Sequence, residues 1–489
     1  MKMSKFSGEQ LAQVDNPDPF APPVWRSPVY HTPGWAITLV QLARLLVVLV
    51  RFLARHPVLD LVAAALAYSW SLAGWPGPVI LTATVAALLT AWRWGRPASF
   101  SRFVGQPVRG KWRRGYYQRH WLAVLTIARL APVYRGHLLV PVLGRVASTR
   151  FTDRVLVGVV SGQAVADFAA RAENLAHGFG AMLCRVRTAR PGFLILEFVR
   201  RDALAATIPA IPISGHADLK ALPVGRREDG SAWLVRLHGT HLLIAGATGA
   251  GKGSVIWSLI RAMLAAMQAG LVKVLAADPK VMELAYGRPI FDTHGRYAAD
   301  PAAIVAMLED AVTDMQARAA RLAGKQRDHT PTIEFPFVVV LVDEVAFLTA
   351  YQPDKQLRER VKAALATLTT QGRAVGYCVV AALQDPRKEV MSIRNLFPDR
   401  IAMRLDEPEQ VDMVLGDGAR DRGATADLIS TDPATGAGVA FVRLEADPDP
   451  VRVRAAWVAD EDIQAMADEC TAPHVPETVP PAIEAGAAI

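Results

Sequence analysis

The chain is poor in cysteine, with 3 in 489 residues, and Cys184, Cys378 and Cys470 stand far apart. That excludes a disulfide framework, and the lack of Cys and His at ligand spacing leaves no structural zinc site. The three thiols read as packing residues. Acid is scarce in the first 150 residues, where 4 Asp and Glu face 18 Lys and Arg, a local net charge of +14. The whole chain carries +8, so residues 151–489 hold about −6 and the basic balance belongs to the N-terminal third alone. Nucleic-acid contact by the larger part therefore has to rest on local patches. Residues 1–23 lack an apolar signal-peptide core, and residues 1–34 read as a disordered, Pro-rich cytoplasmic lead.

Apolar sequence is plentiful, at 52% hydrophobic residues. Residues 35–56 carry Gln41, Arg44, Arg51 and Arg55 on one helical stripe, the pattern of a basic amphipathic helix lying in the headgroup plane. Two runs, 58–74 and 78–92, flank WPGP and predict a two-span transmembrane hairpin over 57–94, anchored by Trp70, Trp75, Trp92 and Trp94. Eight Arg or Lys and no acid follow over 93–120, which places both flanks of the hairpin in the cytoplasm. Residues 95–150 then read as a basic juxtamembrane linker suited to anionic lipid, and the protein as multi-pass in the inner (plasma) membrane.

From about 151 the texture becomes mixed α/β. Strand-like runs at 155–160 and 193–199 enclose an Ala-rich helical run at 161–179, predicting a small α/β module over 151–225. HLLIAG (241–246) reads as a buried strand. After it come GATGAGKGSV and then an apolar helix face of Ile256, Leu259, Ile260, Met263, Leu264 and Met267. Strand, Gly-rich turn and helix are the setting a phosphate-binding loop requires. Gly246, Ala247, Thr248, Gly249, Ala250, Gly251, Lys252, Gly253 and Ser254 are its candidate residues. Backbone amides would hold the phosphates of ATP, and Lys252 would reach the β and γ oxygens.

Farther on, FPFVVVLVDEVAFL (335–348) is an apolar strand ending in adjacent carboxylates. Asp343 is expected to serve Mg²⁺ and Glu344 to polarise the attacking water. GYCVVAALQDP (376–386) is a second such strand, which puts Gln384 at the sheet's C-terminal edge as a γ-phosphate sensor. Strands and helices alternate throughout, which predicts an α/β, doubly wound, mostly parallel sheet. One position is irregular. Gly253 stands where a phosphate loop places the hydroxyl that ligates Mg²⁺, so the metal is expected to take water there, or Ser254 through a distorted first turn. On this reading Gly253→Ser is tolerated.

The motifs GATGAGK, ADPKVMEL (277–284), VVVLVDEVAFL, GRAVGYCVVAALQ (372–384) and PDRIAMRL (398–405), in that order, resemble the FtsK/SpoIIIE family of hexameric, ATP-driven double-stranded DNA translocases. The closest likeness is to its actinobacterial conjugative-transfer (Tra) branch. The resemblance implies a RecA-like P-loop ATPase core over 226–463, with ATP and Mg²⁺ as cofactors. It also implies a homo-hexameric ring and an arginine acting in trans, for which Arg400 is the candidate and Arg373 the substitute. Duplex DNA would be moved without sequence readout, gripped through Lys325, Arg327, Arg387, Lys388 and Arg394. Residues 464–489 read as a disordered tail with no room for a sequence-reading domain, so a separate DNA-loading protein is the expected partner. Plasmid or integrative-element transfer in conjugation is the favoured role. A septal chromosome-segregation pump and a protein-secretion coupling ATPase are the alternatives.

Overall fold

Pro57 and Pro76 each open a helix, the position at which the missing N–H of proline removes no hydrogen bond. Helix α1 (Pro57–Ala73) and helix α2 (Pro76–Gly95) turn on Gly74, whose φ of 64° suits glycine. The hairpin differs from expectation in one respect that matters. Pro76, Gly77 and Pro78 are not its loop but the first turn of α2, packed so closely that a Cβ on Gly77 would lie 2.0 Å from Ser69 O. With Arg93 in the last turn, the apolar stretch of α2 shrinks to 79–92, roughly 21 Å at ~1.5 Å per residue, against about 30 Å of hydrocarbon. The 17 residues of α1 reach roughly 26 Å. Among the described residues no helix is long and apolar enough to cross a membrane, which corrects the two-span expectation.

The computed structural model describes residues 39, 42–43, 57–325, 328–386 and 391–471, in two units, 1–101 and 102–489. The expected lead at 1–34, nearly all of the 35–56 helix and residues 472–489 lie outside the described residues.

The second unit opens with helix α3 (Gln106–Ile127) and four antiparallel strands, β1 (Val142–Ser148), β2 (Thr152–Gly158), β3 (Leu183–Arg190) and β4 (Phe193–Val199), in the order β1-β2-β4-β3. Tyr117, Trp121 and Leu125, on one stripe of α3, are buried against Val155, Val157, Leu194, Leu196 and Phe198. Residues 106–148 are thus part of a core and not the linker expected over 95–150. Its apolar residues, broken by arginines, lacked the unbroken period that marks a helix of a soluble domain. Beneath the helix, Asp153 is 1% exposed and is matched by Tyr117 Oη at 3.0 Å and Arg200 Nε at 2.9 Å. A buried carboxylate is tolerable only when paired in this way.

The larger sheet has 11 strands among the described residues. They are β5 (Ile208–Pro209), β6 (Leu222–Arg227), β7 (Ala232–Val235), β8 (Leu242–Ala245), β9 (Val272–Ala277), β10 (Gly295–Ala298), β11 (Phe337–Val342), β12 (Tyr377–Leu383), β13 (Asp399–Met403), β14 (Val439–Arg443) and β15 (Val451–Trp457). The order is β10-β9-β11-β12-β8-β13-β14-β15-β6-β7, with β5 beside β15. From β10 to β13 every pairing is parallel; beyond β13 the sheet continues with antiparallel neighbours except for β5, which lies parallel to β15, and β6 already lies in this sheet, ahead of the expected boundary at 226.

Alternation explains why the central strands are apolar on both sides. Leu242 and Ile244 of β8 enter one core, and Leu243 and Ala245 enter the other. Helix α4 (Lys252–Gln268) contributes to the first core, while α5 (Pro301–Leu322), α6 (Lys355–Gln371) and α7 (Pro408–Leu415) build the second. Helix α8 (Asp460–Thr471) packs Ile463, Met466 and Ala467 into the first core, so the order extends past the expected tail boundary at 464.

Candidate functional site

Register places the chemistry. Ala245 pairs with Leu383, Val342 with Ala381 and Ala277 with Val342, so β8, β12, β11 and β9 end on nearly one line. Gly246, Gln384, Asp343 and Asp278 are the residues that follow those four ends. Segments up to about 140 residues apart in sequence meet along this edge.

The loop after β8 turns on Gly249 and Gly251, with φ of 75° and 91°. At Gly251 the backbone is crowded as well, because a Cβ would lie 2.5 Å from Gly438 N. The N–H groups of Gly249, Gly251, Lys252 and Gly253 meet no acceptor among the described residues and crown the N-terminus of α4. Such a ring of unpaired donors at a helix start is an anion site. Lys252 folds over it, its Nζ donating to Gly246 O at 2.7 Å and Ala247 O at 3.3 Å. Burial lowers the pKa of Lys252, and Glu344 and Asp343 oppose that shift.

Opposite the loop, Asp343 and Glu344 are 9% and 3% exposed. Glu344 accepts from Lys280 Nζ at 3.1 Å and from the Gln384 N–H at 3.3 Å. Gln384 Oε1 in turn lies 3.4 Å from the Thr248 hydroxyl. Burial, followed by the carboxylates of Asp278, Glu283 and Glu344, pushes the Asp343 carboxyl up to about 7, with Lys252 holding it down.

Lys252, Thr248, Asp343, Glu344 and Gln384 therefore come together. Four residues of the pocket were missed from sequence. Asp278 is fully buried, Glu283 lies beside Gly253, Lys280 pairs with Glu344, and Arg404 donates to Thr248 O at 2.6 Å. The first three lie in ADPKVMEL, a motif that sequence analysis used only for likeness. Arg404 lies in PDRIAMRL, likewise used only for likeness.

Other placements differ from expectation. Arg400 is 8% exposed and donates to Phe397 O at 2.8 Å and Val414 O at 3.3 Å, which leaves too little free guanidinium for an arginine that must extend to a neighbour. Arg373 is bidentate to Glu445 at the opposite edge of the sheet, with 39% of its side chain exposed. Arg394 donates to the Asp412 and Met413 carbonyls at the end of α7, a structural role in place of the expected DNA contact. Lys325 is exposed, while Arg327, Arg387 and Lys388 lie outside the described residues. Ser254 is buried in the first turn of α4. A Cβ at position 253 would fall 1.9 Å from Glu283 Oε1, so Gly253→Ser requires that carboxylate, the far end of a flexible side chain, to move aside.

The donor set suits a divalent cation. Carboxylates of Asp278, Glu283, Asp343 and Glu344 outnumber Lys252 and Lys280, and oxygen donors of this kind are the ones Mg²⁺ takes alongside water and phosphate. No three of them form a metal cage unaided among the described residues.

A loop of unpaired amides between a central parallel strand and a helix, faced by a lysine and paired acids, defines a P-loop nucleotide-binding α/β domain. Residues 216–425 of the chain match the family model of the FtsK/SpoIIIE family. Residues 111–200, holding α3 and the four-stranded sheet, match the actinomycete conjugal transfer protein N-terminal domain. The chain is 29% identical over 262 residues to DNA translocase FtsK of Mycobacterium tuberculosis, covering 48% of this chain and 29% of that one. It is 26% identical over 276 residues to DNA translocase SpoIIIE of Bacillus subtilis, covering 52% and 33%. The chain thus spans about a third of the length of the curated relatives it matches. Among solved structures, the pCW3 conjugation coupling protein TcpA with ATPγS aligns at a TM-score of 0.46 and 16% identity, covering 73% of this chain and 98% of that one.

Proposed function

We propose that this chain is an ATPase that drives double-stranded DNA during conjugative transfer. The observation that carries the reading is the meeting of Lys252, Asp343, Glu344 and Gln384 at one sheet edge, within an FtsK/SpoIIIE domain that follows a conjugal-transfer N-terminal domain. Lys252 leaves the Gly246 and Ala247 carbonyls to hold phosphate oxygens, and the free amides of Gly249, Gly251, Lys252 and Gly253 hold the rest. Asp343, through its position at the end of β11, is the acid that would hold Mg²⁺, which screens the triphosphate charge when bound. Glu344, fixed between Lys280 and the Gln384 amide, orients the attacking water, and Gln384 links that water to the loop through Thr248.

Six copies in a ring, with Arg373 as the remaining arginine candidate in trans and Lys325 as a DNA-facing cation, complete the proposal. The α1–α2 hairpin, with Leu61, Trp70, Leu72, Ile80, Leu88 and Trp94 exposed, would rest on the inner membrane and keep the motor on its cytoplasmic side. The test is ATP turnover by the full chain with linear duplex, single-stranded DNA and unfolded protein. Stimulation by duplex is expected, and a rate indifferent to duplex would sink the DNA-motor reading.

A further inference from the structure

We infer that Glu283 replaces the hydroxyl missing from the phosphate loop and, with Asp343, ligates the divalent cation of bound nucleotide. The inference rests on the nucleotide reading above and goes beyond it by assigning the irregular position 253. A glycine inside a helix costs about 1 kcal/mol relative to alanine, so its presence calls for a cause. Backbone conformation is not that cause, since Gly253 is not among the residues with positive φ. Space is. A Cβ built on Gly253 meets Glu283 Oε1 at 1.9 Å, Cδ at 2.7 Å and Oε2 at 3.0 Å, so the carboxylate fills the volume that a serine or threonine side chain would take.

Glu283 is held there from both sides. Asp278, buried at the end of β9, accepts from the Met282 N–H at 3.4 Å and the Leu284 N–H at 3.1 Å, and Leu284 is itself buried in the first core. Val281, at φ 53°, makes the turn that delivers the segment. A carboxylate is a hard oxygen donor like the hydroxyl it displaces, and it adds a full negative charge next to a cation.

Titration of Mn²⁺ into the full chain with ATPγS present, followed by loss of the free Mn²⁺ paramagnetic signal, reads the metal directly. Binding of a fluorescent ATP analogue in EDTA reads nucleotide without metal. Glu283→Gln is expected to weaken Mn²⁺ about tenfold or more while metal-free nucleotide affinity stays within about twofold. Gly253→Ser should weaken Mn²⁺ similarly by displacing Glu283. The double variant Gly253→Ser/Glu283→Gln, which supplies the hydroxyl and removes the displaced charge, should recover to within about threefold of the parent. Parental Mn²⁺ affinity in Glu283→Gln, no recovery in the double variant, or a loss confined to Ser254→Ala would overturn the assignment. Failure of the parent chain to bind the analogue at all would instead bring down the nucleotide reading.

Discussion

Lys280 Nζ lies 3.1 Å from Glu344 Oε2, so the carboxylate expected to orient water is paired with a lysine from the segment after β9. Lys280 also sits among the acids that an incoming triphosphate must approach. Lys280→Ala should raise KM for ATP about tenfold, ~1.4 kcal/mol, through the lost cation. Steady-state kinetics check this, and a fall in kcat at constant KM would restrict Lys280 to holding Glu344.

Lys252→Ala removes the cationic side chain of the loop, the one placed to neutralise phosphate oxygens. Turnover should fall by at least about 10²-fold with the melting temperature nearly unchanged, because the Lys252 ammonium contacts only two loop carbonyls in the nucleotide-free chain. Parallel thermal unfolding and phosphate-release assays measure both.

Arg400 and Arg404 are four residues apart and should behave oppositely. Arg400→Ala strips donors from the Phe397 and Val414 carbonyls in a buried setting and is expected to lower the melting temperature by about 5 °C or more. Arg404→Ala, next to the phosphate loop at Thr248 O, should leave the melting temperature in place and cut turnover about tenfold or more. A reversed pattern would return Arg400 to the catalytic candidates.

His241 is fully buried, its Nδ1 accepting the Val379 N–H at 3.0 Å, and burial lowers its pKa to about 4. The folded value lies below the unfolded one near 6.5, so the unfolded chain binds the extra proton. Stability should therefore fall as pH drops from about 6.5 towards 4, by roughly 3 kcal/mol at most. His241→Asn keeps an acceptor for Val379 and should flatten that part of the profile in urea unfolding at a series of pH values.

Local pattern carried much of this molecule. The continuous apolar run of Leu242 to Ala245, the glycines of the loop and the apolar strand before Asp343 were readable because each obeys a rule spanning fewer than about ten residues. Helix α3 was misread as a linker because Tyr117, Trp121 and Leu125 gain their meaning from β2 and β4, which follow later in the chain. In α2, Pro76 and Pro78 read as breakers, whereas proline in a first turn continues into a helix.

What the sequence determined by itself was the alternation of strand and helix and the phosphate loop with its lysine and twin acids, since backbone geometry dictates those patterns from neighbouring residues. Only the tertiary structure decided that Arg400 is an interior donor, that Arg404, Lys280 and Asp278 border the pocket, and that Glu283 fills the space beside Gly253. The reason is physical: a parallel sheet joins strands through long crossovers, so which residues share its edge depends on strand order and register, which no local spacing encodes.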